Sequence, residues 1–459
     1  MQTTDLGLTL LGFGMVITFM TLIMTKRMSP LVALTLIPVV FAVVAGFGGQ
    51  ELGGMMIDGV KALAPTGVML MFAILYFGIM IDAGLFDPVV RLVLRVVGGD
   101  PLKVVMGTAI LASFVSLDGD GSTTYMIVVA SMLPLFHRLS MNPLTLTCVT
   151  ILASGVMNLT PWGGPLARAA SALHVDPSAV FLPLVPAMAV GIVGVIALSY
   201  YLGLKERRRL GVIELATSGS VGAMAVSAAN DAGTEIEDTA LLPDSAHASE
   251  LRRPKLIWVN AALTVVLMAG LLLAVAPLPV LFMVGFAVAI LVNYPNLAQQ
   301  RERIASHGKN VIAVVSLIFA AGLFTGILSG TGMVDAMSGS LLAVIPEGWG
   351  PLLAPITALI SLPFTFFISN DAFYFGVLPI VAEAAGTYGI SPIEMARASL
   401  IGQPVHLLSP LVPSTYLLVG LAGVEFGDHQ RFTIKWAIAI ALLLMVAALV
   451  VGAFPLSSQ

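Results

Sequence analysis

Long apolar runs dominate the chain, and the charged positions cluster between them. A membrane-spanning helix needs about 20 predominantly apolar residues. Runs of spanning or near-spanning length fall at about 6–24, 31–47, 67–84, 143–166, 180–203, 256–276, 278–295, 312–330, 392–415 and 436–453. Two hairpin-like pairs of apolar runs remain, 101–117 with 122–136 and 351–367 with 372–385. The pattern predicts an all-α polytopic membrane protein with ten crossings and two re-entrant hairpins.

The positions of the basic residues predict how the chain is oriented. If the ten segments cross and both hairpins return to the side from which they enter, nearly all of the 21 lysines and arginines fall in loops on one side. The exceptions are Lys61, Arg168 and Arg397. Because cytoplasmic loops carry an excess of Lys and Arg, that side is predicted to be cytoplasmic. Both termini are then expected outside.

Composition agrees with a membrane protein. The chain of 459 residues is 58% hydrophobic and 10% charged, whereas soluble domains carry about 25% charged residues. Its 45 glycines and 27 prolines fit interrupted, closely packed transmembrane helices. Cys148 is the only cysteine, which excludes an internal disulfide and a cysteine-rich metal site. The run at 6–24 has no preceding basic region and no cleavage-like site, so we expect a first span and not a signal peptide.

A polar linker divides the chain into two similar halves. We expect 205–255 to be a flexible cytoplasmic linker, with a regulatory docking segment as the alternative. Residues 1–204 and 256–459 then form two repeats, with hairpins at about 101–136 and 351–385. Matching motifs recur at offsets of 248 to 251 residues: Gly84-Leu-Phe-Asp87 with Gly332-Met-Val-Asp335, Thr160-Pro161 with Ser409-Pro410, and Asp120 with Asp371.

Five crossings in each half would insert the second half upside down relative to the first. Inverted repeats with broken helices that meet at the bilayer midplane are an architecture of secondary transporters. The sequence therefore predicts such a repeat, with the first hairpin entering from the cytoplasm and the second from outside.

Polar interruptions occur at matching places in the two halves. They lie at 118–124 and 368–371, at the two hairpin tips, and at 158–165 and 403–415, where Pro and Gly should break the fourth and ninth crossings. Helix halves that end at such breaks direct their N-terminal amides at one point, which suits an anion. The carbonyls that they release suit a cation. These four segments are predicted to form one substrate site.

Three of these motifs resemble a known family. They are Ser-Leu-Asp-Gly-Asp-Gly-Ser-Thr-Thr at 116–124, Asn-Leu-Thr-Pro-Trp-Gly-Gly-Pro at 158–165 and Phe-Ile-Ser-Asn-Asp at 367–371. They look like the bacterial citrate–divalent-metal:proton symporters, the CitMHS family of the ion transporter superfamily, over nearly the whole chain. The resemblance implies uptake of citrate complexed with a divalent ion such as Mg²⁺ or Ca²⁺, driven by protons, and no permanently bound cofactor.

The same resemblance implies an assembly and a location. Relatives in the superfamily are homodimers with a scaffold domain and a moving transport domain that carries both hairpins, an elevator arrangement. The chain is expected in the bacterial inner membrane, with the citrate–metal complex as its cargo and no nucleic acid partner.

Ionisable residues at membrane depth are the candidates for coupling. Asp118 and Asp120 are two residues apart, and two close carboxylates share a proton more readily than both ionise. They and Asp371 are predicted to carry protons, to bind the metal of the cargo through hard oxygen ligands, or both; a helix-capping role is the alternative. His406 is either a proton carrier or a satisfied core histidine. Arg168 either meets a citrate carboxylate or is an interfacial arginine.

Hydroxyl, amide and glycine positions around the breaks are candidates for substrate binding, or else for satisfying exposed backbone. They are Ser122, Thr123, Thr124, Asn158, Thr160, Gly163, Gly164, Ser369, Asn370, Ser409, Ser414 and Thr415.

Other functions remain open at this point. The same fold type could carry another di- or tricarboxylate, or use Na⁺. A different class is an intramembrane aspartyl protease, because Gly-Asp-Gly around Asp120 resembles a catalytic setting and Asp371 could be its partner. A channel is the remaining alternative. We expect a transporter and not an enzyme.

Overall fold

A computed structural model describes residues 2–25, 27–119, 121–211, 251–273, 275–343, 346 and 348–458. Within these ranges the chain is helical and contains no strand. In the first half the helices are α1 Gln2–Met24, α2 Pro30–Val44, α3 Gly49–Asp82, α4 Asp87–Val97, α5 Pro101–Val115, α6 Gly121–Arg138, α7 Pro143–Met157, α8 Gly164–Ala172, α9 Pro177–Phe181 and α10 Val185–Leu210. Most of the predicted linker, 212–250, lies outside the described residues.

The second half also contains ten α-helices among the described residues. Its helices are α11 Ile257–Leu272, α12 Leu278–Asn293, α13 Leu297–Gly330, α14 Met333–Leu342, α15 Leu353–Phe367, α16 Leu378–Gly386, α17 Pro392–Ser399, α18 Gln403–His406, α19 Pro413–Ala422 and α20 Phe426–Val450. A π-helical segment, Ala372–Val377, leads into α16. Helices α3 and α13 hold corresponding places and are each 34 residues long.

Several helices begin at a polar cap followed by proline. The cap oxygen accepts a hydrogen bond from an orphan backbone amide, and proline at the next position lacks the amide that would otherwise be unpaired. This combination starts α2, α5, α7, α9 and α17 at Ser29, Asp100, Asn142, Asp176 and Ser391, respectively. Local sequence therefore fixes where these helices start.

Eight helices in the described ranges are long and apolar enough to cross a membrane. They are Leu6–Ile23, Gly49–Asp82, Pro101–Asp118, Pro177–Leu210, Pro254–Leu272, Leu297–Gly330, Gly350–Phe367 and Phe426–Val450. Two of them, Pro101–Asp118 and Gly350–Phe367, are first arms of the predicted hairpins. Each is 18 residues long. Within each predicted hairpin the two arms pack against each other, α5 against α6 and α15 against α16.

The two 34-residue helices cross in backbone contact. A Cβ atom added to Gly59 of α3 would lie 2.0 Å from the carbonyl oxygen of Gly322 in α13, and one added to Gly326 would lie 2.9 Å from the Cα of Gly59. Small residues allow this approach, as is common between membrane helices. Both helices begin well before the apolar runs at 67–84 and 312–330. Those predicted spans were too short, because hydropathy windows stop at charges whereas helical hydrogen bonding continues through them.

Candidate substrate site

The predicted break in the fourth crossing is present. Helix α7 ends at Met157 and α8 begins at Gly164, so the segment 158–163 has no regular helix. Glycine is needed in this turn, since a Cβ on Gly163 would lie 2.5 Å from the carbonyl oxygen of Asn158. A second break at 407–412 separates α18 from α19. Each half thus contains an interrupted helix where Pro and Gly predicted one.

The tip of the first hairpin is a tight turn held by the first break. After α5, one turn of 3₁₀-helix, Ser116–Asp118, leads to Gly119 with φ +77°. The indole Nε1 of Trp162 donates a hydrogen bond to the carbonyl oxygen of Leu117 over 2.8 Å. A Cβ on Gly119 would lie 2.9 Å from Trp162 Cδ1. Glycine is therefore required here both for the left-handed backbone and for the indole contact.

The tip of the second hairpin is joined to α8 by an ion pair. Helix α15 ends at Phe367, and Asp371 precedes the π-helical segment. The backbone amide of Ala372 donates to Ser369 Oγ over 3.2 Å. Arg168 Nε donates to Asp371 Oδ1 over 2.6 Å. This bond connects elements of the two halves.

A cavity of about 390 Å³ lies between the two hairpin tips and the two breaks. Eight of the predicted site residues line it: Asn158, Gly164, Arg168, Ser369, Asn370, Asp371, His406 and Ser414. The other lining residues are Ser116, Gly119, Gly121, Ser154, Pro165, Leu407, Leu411, Val412 and Pro413. All four interruptions contribute lining residues, so the structure brings them together at one cavity.

Helix ends of both polarities face this cavity. Gly121, Gly164 and Ser414 belong to the first turns of α6, α8 and α19, where backbone amides lack intrahelical partners. Asn158 and His406 stand at the C-terminal ends of α7 and α18, where carbonyls are released. Amides and positive dipole ends favour anions, and carbonyl ends favour cations. The arrangement therefore suits an anion that carries a cation with it.

His406 has a defined tautomer in this setting. Its Nδ1 lies 2.6 Å from the carbonyl oxygen of Thr365. Because a carbonyl only accepts, Nδ1 must carry a hydrogen, and Nε2 is the nitrogen left to accept a proton. The side chain is buried at the cavity wall.

Several predicted residues lie behind the lining. Thr124 Oγ1 accepts from Ser116 Oγ over 3.2 Å. Ser409 Oγ accepts from the amide of Leu411 over 3.1 Å, and Thr415 Oγ1 donates to the carbonyl oxygen of Leu407 over 2.5 Å. The last two hydroxyls satisfy backbone groups exposed by the second break.

The remaining members of that prediction also lie outside the lining. Ser122 and Thr123 belong to the first turn of α6. Gly163 forms the turn between α7 and α8. Thr160 lies in the same break, and its buried hydroxyl has no hydrogen-bond partner among the described residues.

Asp118 is a buried acidic residue at the tip of the first hairpin. Asp118 is 8% exposed, lies in the 3₁₀ turn and is not a lining residue. Asp120 lies outside the described residues. Among those described, no three His, Cys, Asp or Glu side chains stand close enough to hold a metal ion together. The proposed metal role of Asp118, Asp120 and Asp371 stays a prediction.

Ser116 and Ser154 line the cavity but were not among the predicted site residues. Their hydroxyl oxygens are 2.9 Å apart. Ser154 lies in α7 four residues before Asn158, so the two share one helix face. The available signal for Ser154 was a hydroxyl one turn ahead of a predicted break.

The family described as "Citrate transporter" has a model that matches residues 19–402. The chain belongs to the citrate transporter family. Among its relatives in Bacillus subtilis (strain 168), a protein named "Citrate transporter" is 58% identical over 445 residues, 97% of this chain and 99% of that protein. Another, named "Mg(2+)/citrate complex secondary transporter", is 52% identical over 450 residues, 98% of this chain and 100% of that protein.

Solved structures of other transporters have a similar fold. The YdaH transporter of Alcanivorax borkumensis aligns with a TM-score of 0.50 at 17% identity, over 89% of this chain and 90% of its own. MtrF of Neisseria gonorrhoeae aligns with a TM-score of 0.56 at 16% identity, over 88% and 83%. This member of the citrate transporter family is thus a multi-pass membrane transporter and not an enzyme. The intramembrane protease hypothesis is therefore wrong.

Proposed function

We propose that this protein imports citrate complexed with a divalent ion of the Mg²⁺ or Ca²⁺ class in symport with protons. The observation that carries the proposal is the convergence on one cavity of helix N-termini, helix C-termini, Arg168 and Asp371. The names of the two Bacillus subtilis relatives support the choice of citrate and of its metal complex.

Charge complementarity supports a cargo of mixed sign. The amides at the first turns of α6, α8 and α19, together with Arg168, would hold citrate carboxylates. Mg²⁺ and Ca²⁺ prefer oxygen ligands, and citrate itself supplies several of them. A few protein oxygens then suffice to complete the coordination of the ion.

The ion pair offers a route for coupling to protons. An incoming carboxylate competes with Asp371 for Arg168, and a carboxylate that loses its cationic partner binds a proton more readily. His406 Nε2, at the same cavity, is a second acceptor. We assign proton coupling to Asp371, His406, Asp118 and Asp120, with metal binding as a further role of the three aspartates.

The element order supports the proposed architecture. The paired helices of the two halves and the matching breaks favour two inverted repeats, 1–204 and 256–459, joined by a cytoplasmic linker. We further propose a homodimer in which the hairpins move together as an elevator, in a bacterial inner membrane with both termini outside.

The same cavity also supports a second candidate. Its amides and its arginine recognise carboxylates in general, so another di- or tricarboxylate remains the alternative cargo, and Na⁺ the alternative coupling ion. The two candidates differ in their dependence on divalent ions and on the proton gradient.

Transport by the purified protein in proteoliposomes tests the proposal. Labelled citrate should accumulate when Mg²⁺ or Ca²⁺ is outside and an inward proton gradient is imposed, and chelation of the metal or collapse of the gradient should abolish accumulation. Protein-free vesicles provide the background. Accumulation driven by Na⁺ without any effect of metal or pH would contradict it.

Orientation is tested by labelling single cysteines in a Cys148→Ser background. Gly54→Cys should react with an impermeant maleimide in intact cells. Gly427→Cys should react only after permeabilisation. The opposite pattern would reverse the proposed topology.

A further inference from the structure

A chain of hydrogen bonds runs from a backbone carbonyl to the wall of the cavity. Tyr374 Oη donates to the carbonyl oxygen of Ser399 over 3.4 Å. Gln403 Nε2 donates to Tyr374 Oη over 2.8 Å, and Asn158 Nδ2 donates to Gln403 Oε1 over 3.4 Å. Tyr374 and Gln403 are fully buried. Their hydrogen bonds are therefore made without competition from bulk water.

The direction of every bond in this chain follows from its first member. A carbonyl only accepts, so the hydroxyl hydrogen of Tyr374 is committed to Ser399 and its oxygen accepts from Gln403. The other end of the Gln403 amide, Oε1, then faces Asn158 and accepts the hydrogen bond that Asn158 Nδ2 donates. Asn158 lines the cavity. One hydrogen of its Nδ2 is used in the bond to Gln403, and its oxygen Oδ1, which takes no part in this chain of hydrogen bonds, is the acceptor that the side chain can offer to the cavity.

A second acceptor lies one turn earlier on the same helix face. Ser116 Oγ donates to Thr124 Oγ1 over 3.2 Å, so it can only accept from Ser154 Oγ, which is 2.9 Å away. The single hydrogen of Ser154 is thereby used. Its remaining lone pairs, like Asn158 Oδ1, are acceptors at the cavity wall.

We infer that the last turn of α7, through Ser154 and Asn158, is the subsite for the divalent ion of the cargo, and that Gln403 and Tyr374 are positioning residues that keep Asn158 Oδ1 turned towards it. This inference rests on the proposed function and deepens it. Mg²⁺ and Ca²⁺ bind oxygen acceptors and are repelled by N–H donors. Arg168 stands beyond the break, in α8, where it serves a carboxylate. The break thus separates the carboxylate contact of Arg168 from the metal contacts of Ser154 and Asn158.

Citrate binding to the purified, full-length protein, measured once with Mg²⁺ and once with a chelator, tests the inference. Asn158→Ala and Gln403→Leu should each reduce the gain in citrate affinity that Mg²⁺ confers by about tenfold, in the range found when groups behind a metal ligand are removed. In Gln403→Leu, which does not line the cavity, affinity for metal-free citrate should change less than about twofold.

Tyr374→Phe and Tyr416→Phe form a matched pair. Tyr416 also donates to a backbone carbonyl, that of Pro410, over 3.0 Å, but it takes no part in the chain of hydrogen bonds that leads to Asn158. Only Tyr374→Phe should weaken the Mg²⁺ effect. Equal losses with and without Mg²⁺ in Gln403→Leu and Tyr374→Phe would overturn the inference in favour of a merely structural role. If the wild-type protein binds citrate equally well with and without Mg²⁺, the inference is overturned but citrate remains the cargo. If the wild-type protein binds no citrate, the proposed function is overturned as well.

Discussion

Arg168 and Asp371 form an ion pair between the first break and the second hairpin tip, with Nε and Oδ1 2.6 Å apart. Their side chains are 23% and 12% exposed. Removing one member of such a pair leaves the other charge poorly solvated, which is more damaging than losing both. The pair also lies where the two halves of the chain meet at the cavity.

We predict that Arg168→Gln and Asp371→Asn each lower citrate uptake by at least about tenfold and destabilise the protein by about 1–3 kcal/mol. The double variant should regain stability, since no unpaired charge remains, but not transport. Melting temperatures and initial uptake rates measure both effects. The exposed pair of Lys61 and Asp58, at 3.1 Å, is the control; Lys61→Ala should change neither quantity. Additive stability losses in the double variant would contradict the coupling of the two charges.

Gly119→Ala should disturb the first hairpin tip. A left-handed backbone costs a non-glycine residue about 1–2 kcal/mol, and the new methyl group would also displace Trp162. Gly389 has the same φ of +77° but open space around it. Gly389→Ala therefore measures the cost of the left-handed backbone alone, without a steric contact. We expect uptake to fall only in Gly119→Ala. Equal uptake in the two variants would show that the indole contact has no role at the tip.

The crossing of α3 and α13 predicts opposite effects for two glycines of one helix. Gly59→Ala should lower stability by about 1–3 kcal/mol, because its Cβ meets the backbone of α13. Gly53 has open space around it, and Gly53→Ala should raise stability slightly through helix propensity. Thermal unfolding in detergent measures both. A stable Gly59→Ala variant would contradict the close approach.

His406→Gln should separate binding from proton coupling. A glutamine amide can still donate to the Thr365 carbonyl, but it cannot take up a proton. We expect uptake driven by a pH gradient to fall by about tenfold or more, while exchange of internal for external citrate continues. The exposed His137 provides His137→Gln as a control. Unchanged gradient-driven uptake in His406→Gln would remove this residue from the coupling.

Asp118→Asn and Asp120→Asn should each abolish uptake without unfolding the protein, because a neutral amide can neither carry a proton nor provide a charged ligand. Size-exclusion profiles check the fold, and uptake in proteoliposomes checks the function. Wild-type rates in both variants would exclude these carboxylates from transport.

Sequence predicted what depends on local chemistry. Gly163, Pro165 and Pro413 interrupt apolar runs, and the breaks occur there. The ion pair of Arg168 and Asp371 joins residues 203 positions apart, and no local pattern specifies such a contact. The roles of Tyr374 and Gln403 could not be predicted for a related reason. Both are polar residues buried in packed segments, and only the folded structure connects their hydrogen bonds with Asn158.

The balance of charge in the Arg168–Asp371 pair has a consequence for movement in an electric field. Carrying one elementary charge through the full membrane potential requires about 2.3 kcal/mol for every 100 mV. A paired cation and anion that travel together add nothing to this work. Under the proposed elevator motion, the empty carrier can therefore return with this pair intact without drawing on the membrane voltage. The voltage dependence of a transport cycle is then left to the loaded step, with its cargo and protons, and to the carboxylates of the first tip.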